Sequence, residues 1–128
     1  MHTNVLIGCL RGNRQLIEAV EKQGKGHDLT ISSVTFGELM VGIFKNDTPR
    51  RRAALQKVLS PLDILPFDQE AAKEFGRIKS GLEKMGQVIG PYDMQIAAHA
   101  ISTKRILVTH NAREFSRIEK LQFVDWEV

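Results

Sequence analysis

Short apolar, β-branched runs alternate with amphipathic stretches along this chain, and no two-residue hairpin turn joins one run to the next. Asp28 to Ser32 (DLTIS), Leu62 to Phe67 (LDILPF), Arg105 to Thr109 (RILVT) and Leu121 to Trp126 (LQFVDW) read as strands, the second of them buried. Between them the spacing is helical. Arg14 to Gln23 places Leu16, Ile17 and Val20 on one face and stops at Gly24 and Gly26. Helices are also predicted from a Ser33 cap to Phe44, over Arg50 to Leu59 behind Pro49, from an Asp68 cap to Met85, and over Pro91 to Thr103. Val5 to Leu10 reads as an apolar turn or short helix stopped by Gly12. Strands linked through helices pair in parallel, and parallel sheets are covered on both faces. The expected fold is therefore a three-layer α/β domain with a small, mainly parallel sheet flanked by helices, one domain over residues 1–128.

Composition narrows the function classes. With 42% hydrophobic and 26% charged residues the chain is an ordinary soluble globule, and no apolar run approaches the roughly 20 residues that span a bilayer. No secretory signal opens it. Its one cysteine, Cys9, lies in an apolar run, is expected to be buried, and suits a reducing cytoplasm. The net charge of +3 and the basic triplet Arg50-Arg51-Arg52 are compatible with a polyanionic partner, and His27 reads as part of an exposed turn. Aromatic residues are only 6% and are not interleaved with basic ones, so no stacking platform for single strands is indicated. A P-loop, a dinucleotide fingerprint, a nucleophile elbow and a zinc-spaced Cys/His set are all missing from the sequence.

Two carboxylates fall on apolar faces. Asp93 lies on the stripe formed by Ile96, Ala97, Ala100 and Ile101, in the first turn of its helix, where the macrodipole favours negative charge. Glu38 shares a face with Val34 and Val41 and is the one ionisable residue between Ser33 and Phe44. A buried carboxylate must be paired, protonated or bound to a cation. Further polar groups stand where sites form in parallel sheets, at the carboxyl ends of strands: Thr109 ends RILVT, and Asn111 and Glu114 follow in the turn beyond it. His2, Thr3 and Asn4 directly precede the apolar run at the start. An oxygen-rich set without Cys or His pairs favours Mg²⁺ or Mn²⁺ over zinc. Taken singly, each acid could also be a first-turn charge at a helix end or the partner of a distant arginine.

The segments TNVLI, ISSVTFGELMVGI, LDILPFD, IGPYDMQIAAHA, LVTHNAREFSRI and the closing DW, in this order over nearly the whole chain, resemble the PIN-domain family. Within it they are most similar to VapC-type toxins, the ribonuclease halves of bacterial toxin–antitoxin pairs. The resemblance implies a PIN-like sheet between helices and acids around Mg²⁺ or Mn²⁺. It implies a metal-dependent endoribonuclease in the bacterial or archaeal cytoplasm, with RNA as substrate and no membrane. It further implies homodimers and a VapB-type antitoxin held in a hetero-oligomer. Glu38 matches the acid of the family's ELxxG helix, and Asp93 that of its PYD helix. Asn111 stands where many members carry an acid, so Glu114 supplies the last carboxylate. Thr109 matches a hydroxyl at the strand end and, with Arg113, falls on the substrate side. Asn4 matches an amide that orients ligand or substrate.

The departure is at the start. The family's first motif is a short apolar strand followed by Asp-Thr-Asn, whereas here HTN has His2 at the place of the Asp and the preceding strand is missing. That strand would occupy the middle of the sheet, so residues upstream of Met1 are expected to be lacking. The chain is altered, or numbered from an internal Met, or a natural variant with imidazole as ligand, or an inactivated toxin; reading alone does not separate these. Imidazole in place of carboxylate would weaken Mg²⁺ binding and spare Mn²⁺. The alternative function is accordingly a catalytically impaired PIN domain that binds its antitoxin.

Overall fold

In the computed structural model, residues 3–8, 10 and 14–126 are described. Chain order is β1 (Thr3–Ile7), α1 (Arg14–Gln23), β2 (His27–Ser32), α2 (Ser33–Lys45), α3 (Pro49–Leu59), β3 (Asp63–Leu65), α4 (Gln69–Lys84), α5 (Pro91–Ser102), β4 (Ile106–Val108), α6 (Ala112–Phe115) and β5 (Phe123–Val124). The strands form one parallel sheet in the order β3-β2-β1-β4-β5. The expected three-layer α/β architecture is thus what the chain adopts.

The first strand corrects the sequence reading. Thr3–Ile7 is neither a turn nor a helix, and the middle of the sheet does not lack a strand: β1 is that centre. It pairs with β2 from Thr3↔His27 to Ile7↔Ile31 and with β4 from Val5↔Ile106 to Ile7↔Val108. A strand enclosed by parallel neighbours is covered on both faces, so its apolar run is continuous and carries no period-two signal. Val5 and Ile7 point into one core layer, with Leu16, Ala19, Ile31, Val108 and Trp126; Leu6 points into the other, with Ile96, Ala97, Leu107 and Phe115. Buried Thr30 ties the two central strands further, donating its hydroxyl to the Val5 carbonyl at 3.0 Å.

Other boundaries shift for physical reasons. The stretch from Leu62 to Phe67 yields only the three-residue β3, an edge strand rather than a buried one, with Ile64 42% exposed. Ser32, not Ser33, caps α2, accepting from the Val34 amide at 3.1 Å, while the Ser33 hydroxyl accepts from the Phe67 amide at 2.9 Å. Asp68 caps α4 as expected, accepting from the Ala71 amide at 3.0 Å. Helix α5 is buried on more than one stripe, from Met94 to Ala100 apart from half-buried Gln95, because it is enclosed between α4, α2 and the sheet. His27 is not in an exposed turn: it opens β2, half-buried, with its ring 5.2 Å from that of Trp126. The expectation that Cys9 is buried falls outside the described residues.

Just past β1, the Gly8 amide donates to the Val108 carbonyl at 2.8 Å, and a β-carbon on Gly8 would stand 2.8 Å from that same oxygen. Backbone approaches backbone here, and neither side can yield without opening the β1–β4 pair. Gly8→Ala is therefore expected to destabilise the protein by about 1–3 kcal/mol, the usual cost of overpacking, in urea unfolding. A loss below roughly 0.5 kcal/mol, the range of ordinary surface substitutions, would show that the junction is not tight.

Candidate active site

The parallel topology decides which groups meet. Helix α2 leaves the carboxyl end of β2, and α6 follows the carboxyl end of β4. Helix α5 runs back to the amino end of β4, so its first turn also lies at the carboxyl edge. Glu38 in α2, Asp93 in the first turn of α5 and Glu114 in α6 converge there. The Asp93 carboxyl is pushed up to about 6, first by burial, then by its hydrogen bond with Glu114, then by the charges of Glu114 and Glu38. These causes outweigh the helix N-terminus, which would act in the opposite direction. Among the described residues no Lys or Arg forms an ion pair with Asp93 or Glu114. The inward face expected for Glu38 is only partial, since neighbouring Val41 is 43% exposed and Glu38 is half-buried.

The turn after β4 places Glu114. Thr109 is only 5% exposed; its amide donates to the Val124 carbonyl at 3.0 Å, and its hydroxyl accepts from the Asn111 amide at 3.1 Å. That hydroxyl shapes the entry to α6 from inside the protein, so Thr109 orients the turn rather than offering a surface to substrate. Asn111 is exposed at the N-cap position and makes no capping bond with its side chain. Arg113 is exposed next to Glu114.

Asn4 is a correction. It pairs level with Asp28 at the amino end of the sheet, exposed, near the Arg105–Asp28 ion pair at 3.6 Å. Three residues of strand, about 10 Å, separate it from Ile7 at the carboxyl end, where the acids gather. The Thr-Asn pair opens its strand here instead of following one, and Asn4 is thereby taken out of the site. The carboxyl end of β1 delivers Gly8, which has no side chain to contribute. His2 lies outside the described residues. Of the basic groups, Lys104 follows the far end of α5, about 18 Å of helix from Asp93's turn, while Arg52 is bound to Asp47 at 2.6 and 2.7 Å and Arg51 donates to the Asn46 carbonyl.

Sequence reasoning missed two features. His110 bonds through Nδ1 to the Asp125 carboxylate beyond β5. His99, 1% exposed, bonds through Nδ1 to the Ser32 hydroxyl at 2.7 Å, and burial lowers its pKa. Strand and helix periodicity place each histidine on a face, but neither partner is within reach of a local pattern, since Asp125 is 15 positions from His110 and Ser32 is 67 from His99.

The donors suit a hard divalent cation in kind: oxygen only, with excess negative charge whose mutual repulsion shows in the raised Asp93 carboxyl. Among the described residues, no three His, Cys, Asp or Glu side chains stand close enough together to form a ready-made metal site. The close contact is the Asp93–Glu114 pair, with Glu38 as the third charge.

The PIN domain family model matches residues 2–121. The chain is 42% identical over 127 residues to the tRNA(fMet)-specific endonuclease VapC of Shigella flexneri, covering 98% of this chain and 96% of that protein. It is 38% identical, with the same coverage, to ribonuclease VapC2 of Haemophilus influenzae. Among solved structures it is similar to VapBC2 from Rickettsia felis bound to a DNA fragment from their promoter, with a TM-score of 0.85, 28% identity, and 98% and 100% of the two chains covered. VapBC-1 from nontypeable Haemophilus influenzae gives a TM-score of 0.81 at 30% identity, with 97% and 98% covered.

The raised Asp93 carboxyl has a consequence for stability. In metal-free protein the folded state holds this proton more tightly than the unfolded chain does. Its contribution is therefore most favourable below the ordinary value of 3.8 and is lost as pH rises through about 6. With chelator at pH 7.5, Asp93→Asn is expected to gain on the order of 1 kcal/mol after solvent screening, or about 2–5 °C in Tm, and the gain should vanish near pH 4. Equal melting of the two proteins at pH 7.5 would contradict the crowding of charge.

Proposed function

The chain belongs to the PIN-domain family, on its VapC ribonuclease branch, and from that premise we propose that it is the toxin of a toxin–antitoxin pair, an endoribonuclease working at the carboxyl edge of its sheet. The observation that carries this reading is the convergence of Glu38, Asp93 and Glu114 from three separate segments, with Asp93 pushed up to about 6. These carboxylates would hold a divalent cation, Mg²⁺ or Mn²⁺, which when bound supplies a water of lowered pKa and offsets charge on the phosphoryl oxygens. In metal-free protein Asp93 keeps its proton up to about 6, and a bound cation would displace that proton, so Asp93 acts as a ligand. Glu114 shares the hydrogen bond that fixes the Asp93 carboxyl, and Glu38 keeps the edge negative from the opposite helix. Arg113, exposed beside Glu114, is the nearest candidate for a phosphate contact, and Thr109 holds the turn that presents both.

The partner in this reading is a VapB-type antitoxin. A groove of about 420 Å³ between α2 and α3, lined by Phe36, Met40, Ile43, Leu55 and Leu59 with Arg52, Gln56 and Ser60 among them, supports a proteinaceous partner, and Phe44 is 68% exposed. A homodimer inside a hetero-oligomer completes the proposed assembly. Among the described residues no helix is long and apolar enough to cross a membrane.

Initiator transfer RNA is the first substrate to try, because the Shigella relative is named for it. Cleavage with Mg²⁺ or Mn²⁺ is expected to cease with chelator. It should fall at least about 100-fold in Glu38→Gln, Asp93→Asn and Glu114→Gln, since losing a ligand costs no less than losing an outer supporting bond. Asn4→Ala should stay within about threefold, since a surface change away from the site costs little. Cleavage untouched by all three acid substitutions would overturn the assignment. A chain that cuts nothing in either ion yet still binds antitoxin would instead be the impaired domain.

A further inference from the structure

Helices α2 and α5 each carry one of the acids, and a polar bond inside the apolar core joins them. Ser32 caps α2 and meets His99 of α5 at 2.7 Å between Oγ and Nδ1. Six residues separate Ser32 from Glu38, and six separate His99 from Asp93, about 9 Å of helix in each case. Ser32 at the start of α2 lies against His99 of α5, the two helices are in contact, and the charge of Glu38 further along α2 is felt at Asp93 near the start of α5. Thr35 and Ile96, midway, are both buried. We propose that the Ser32–His99 hydrogen bond is a positioning element for catalysis: it registers α2 against α5 so that Glu38 and Asp93 come level at the carboxyl edge. This inference rests on the ribonuclease reading above.

Hydrogen-bond bookkeeping shows why this contact can set register where apolar packing cannot. The His99 ring, 1% exposed, shares a hydrogen bond through Nδ1 with the Ser32 hydroxyl at 2.7 Å, and burial disfavours its charged form. The Ser32 oxygen in turn accepts from the Val34 amide at 3.1 Å, the first orphan donor of α2 satisfied by this cap. The Phe67 ring stands edge-on to the imidazole at 5.6 Å, and the Phe67 amide donates to the Ser33 hydroxyl at 2.9 Å. The chain of bonds thus fixes the start of α2, the entry to α4 and the middle of α5 together. Apolar side chains such as Ile96 and Ala97 tolerate small sliding, whereas a buried polar group displaced from its partner loses its hydrogen bond with no water to replace it. Slippage of α5 along α2 is therefore resisted at His99, and the same rigidity reaches the acids two turns away.

The test uses the full chain, with Mn²⁺ alone as the probe ion and initiator transfer RNA as substrate. His99→Leu and Ser32→Ala are expected to weaken Mn²⁺ binding about tenfold and lower kcat about 10–100-fold, as loss of outer supporting bonds does, with KM within about threefold. Ser32→Thr and His99→Asn keep a partner in place and should restore both quantities to within about threefold of the parent. Val20→Ala, in the core layer on the other face of the sheet, serves as the stability control and should leave Mn²⁺ affinity and kcat unchanged while lowering Tm. If His99→Leu does not fold, the Ser32 pair decides. Folded variants that bind Mn²⁺ and cut RNA like the parent, or that lose no more than Val20→Ala, overturn the positioning role alone. A parent chain that neither binds Mn²⁺ nor cuts RNA overturns the ribonuclease reading and this inference with it.

Discussion

Everything in this molecule is arranged around a strand hydrogen-bonded on both sides. Thr3–Ile7 accepts β2 on one flank and β4 on the other, and its three inner residues are almost wholly excluded from water. Parallel pairing aligns the carboxyl ends of β2, β1 and β4, the edge at which the candidate site lies. It also determines what that edge lacks: the central strand ends in Gly8, pressed against the Val108 carbonyl, so the acids described there come from helices α2, α5 and α6.

That arrangement sets stability against function. Three carboxylates share a partly buried region, and Asp93 responds by holding its proton to about 6. The fold tolerates this because the supporting layer is well bonded. Thr109 secures the turn to α6, Ser32 caps α2, and His99 sits neutral between the helices, where burial disfavours its charged form. Repulsion at the edge is offset by directional bonds one layer below it.

Much of the candidate site was legible in the sequence because its parts are local. An acid on an otherwise apolar helix face is a conflict visible within four residues, and both Glu38 and Asp93 showed it. Glu114 was legible from its position after an apolar strand. The errors came where burial removes periodicity. Val5 to Ile7, covered on both faces, has no alternation to distinguish strand from turn; Asn4, matched to the site through the family resemblance, opens that strand at the amino end of the sheet. The partners of His99 and His110 were beyond any local pattern.

By itself the sequence determined the element types over most of the chain, the parallel α/β class, and the oxygen character of the candidate site, because helix periodicity, capping residues and the scarcity of Cys and His are properties of neighbouring residues. Tertiary structure alone decided which strand stands at the centre, that Asn4 lies apart from the acids, and that Asp93 meets Glu114 and Glu38. Those outcomes depend on hydrogen-bond pairing and packing between segments tens of residues apart, and such energies exist only once the chain has closed on itself.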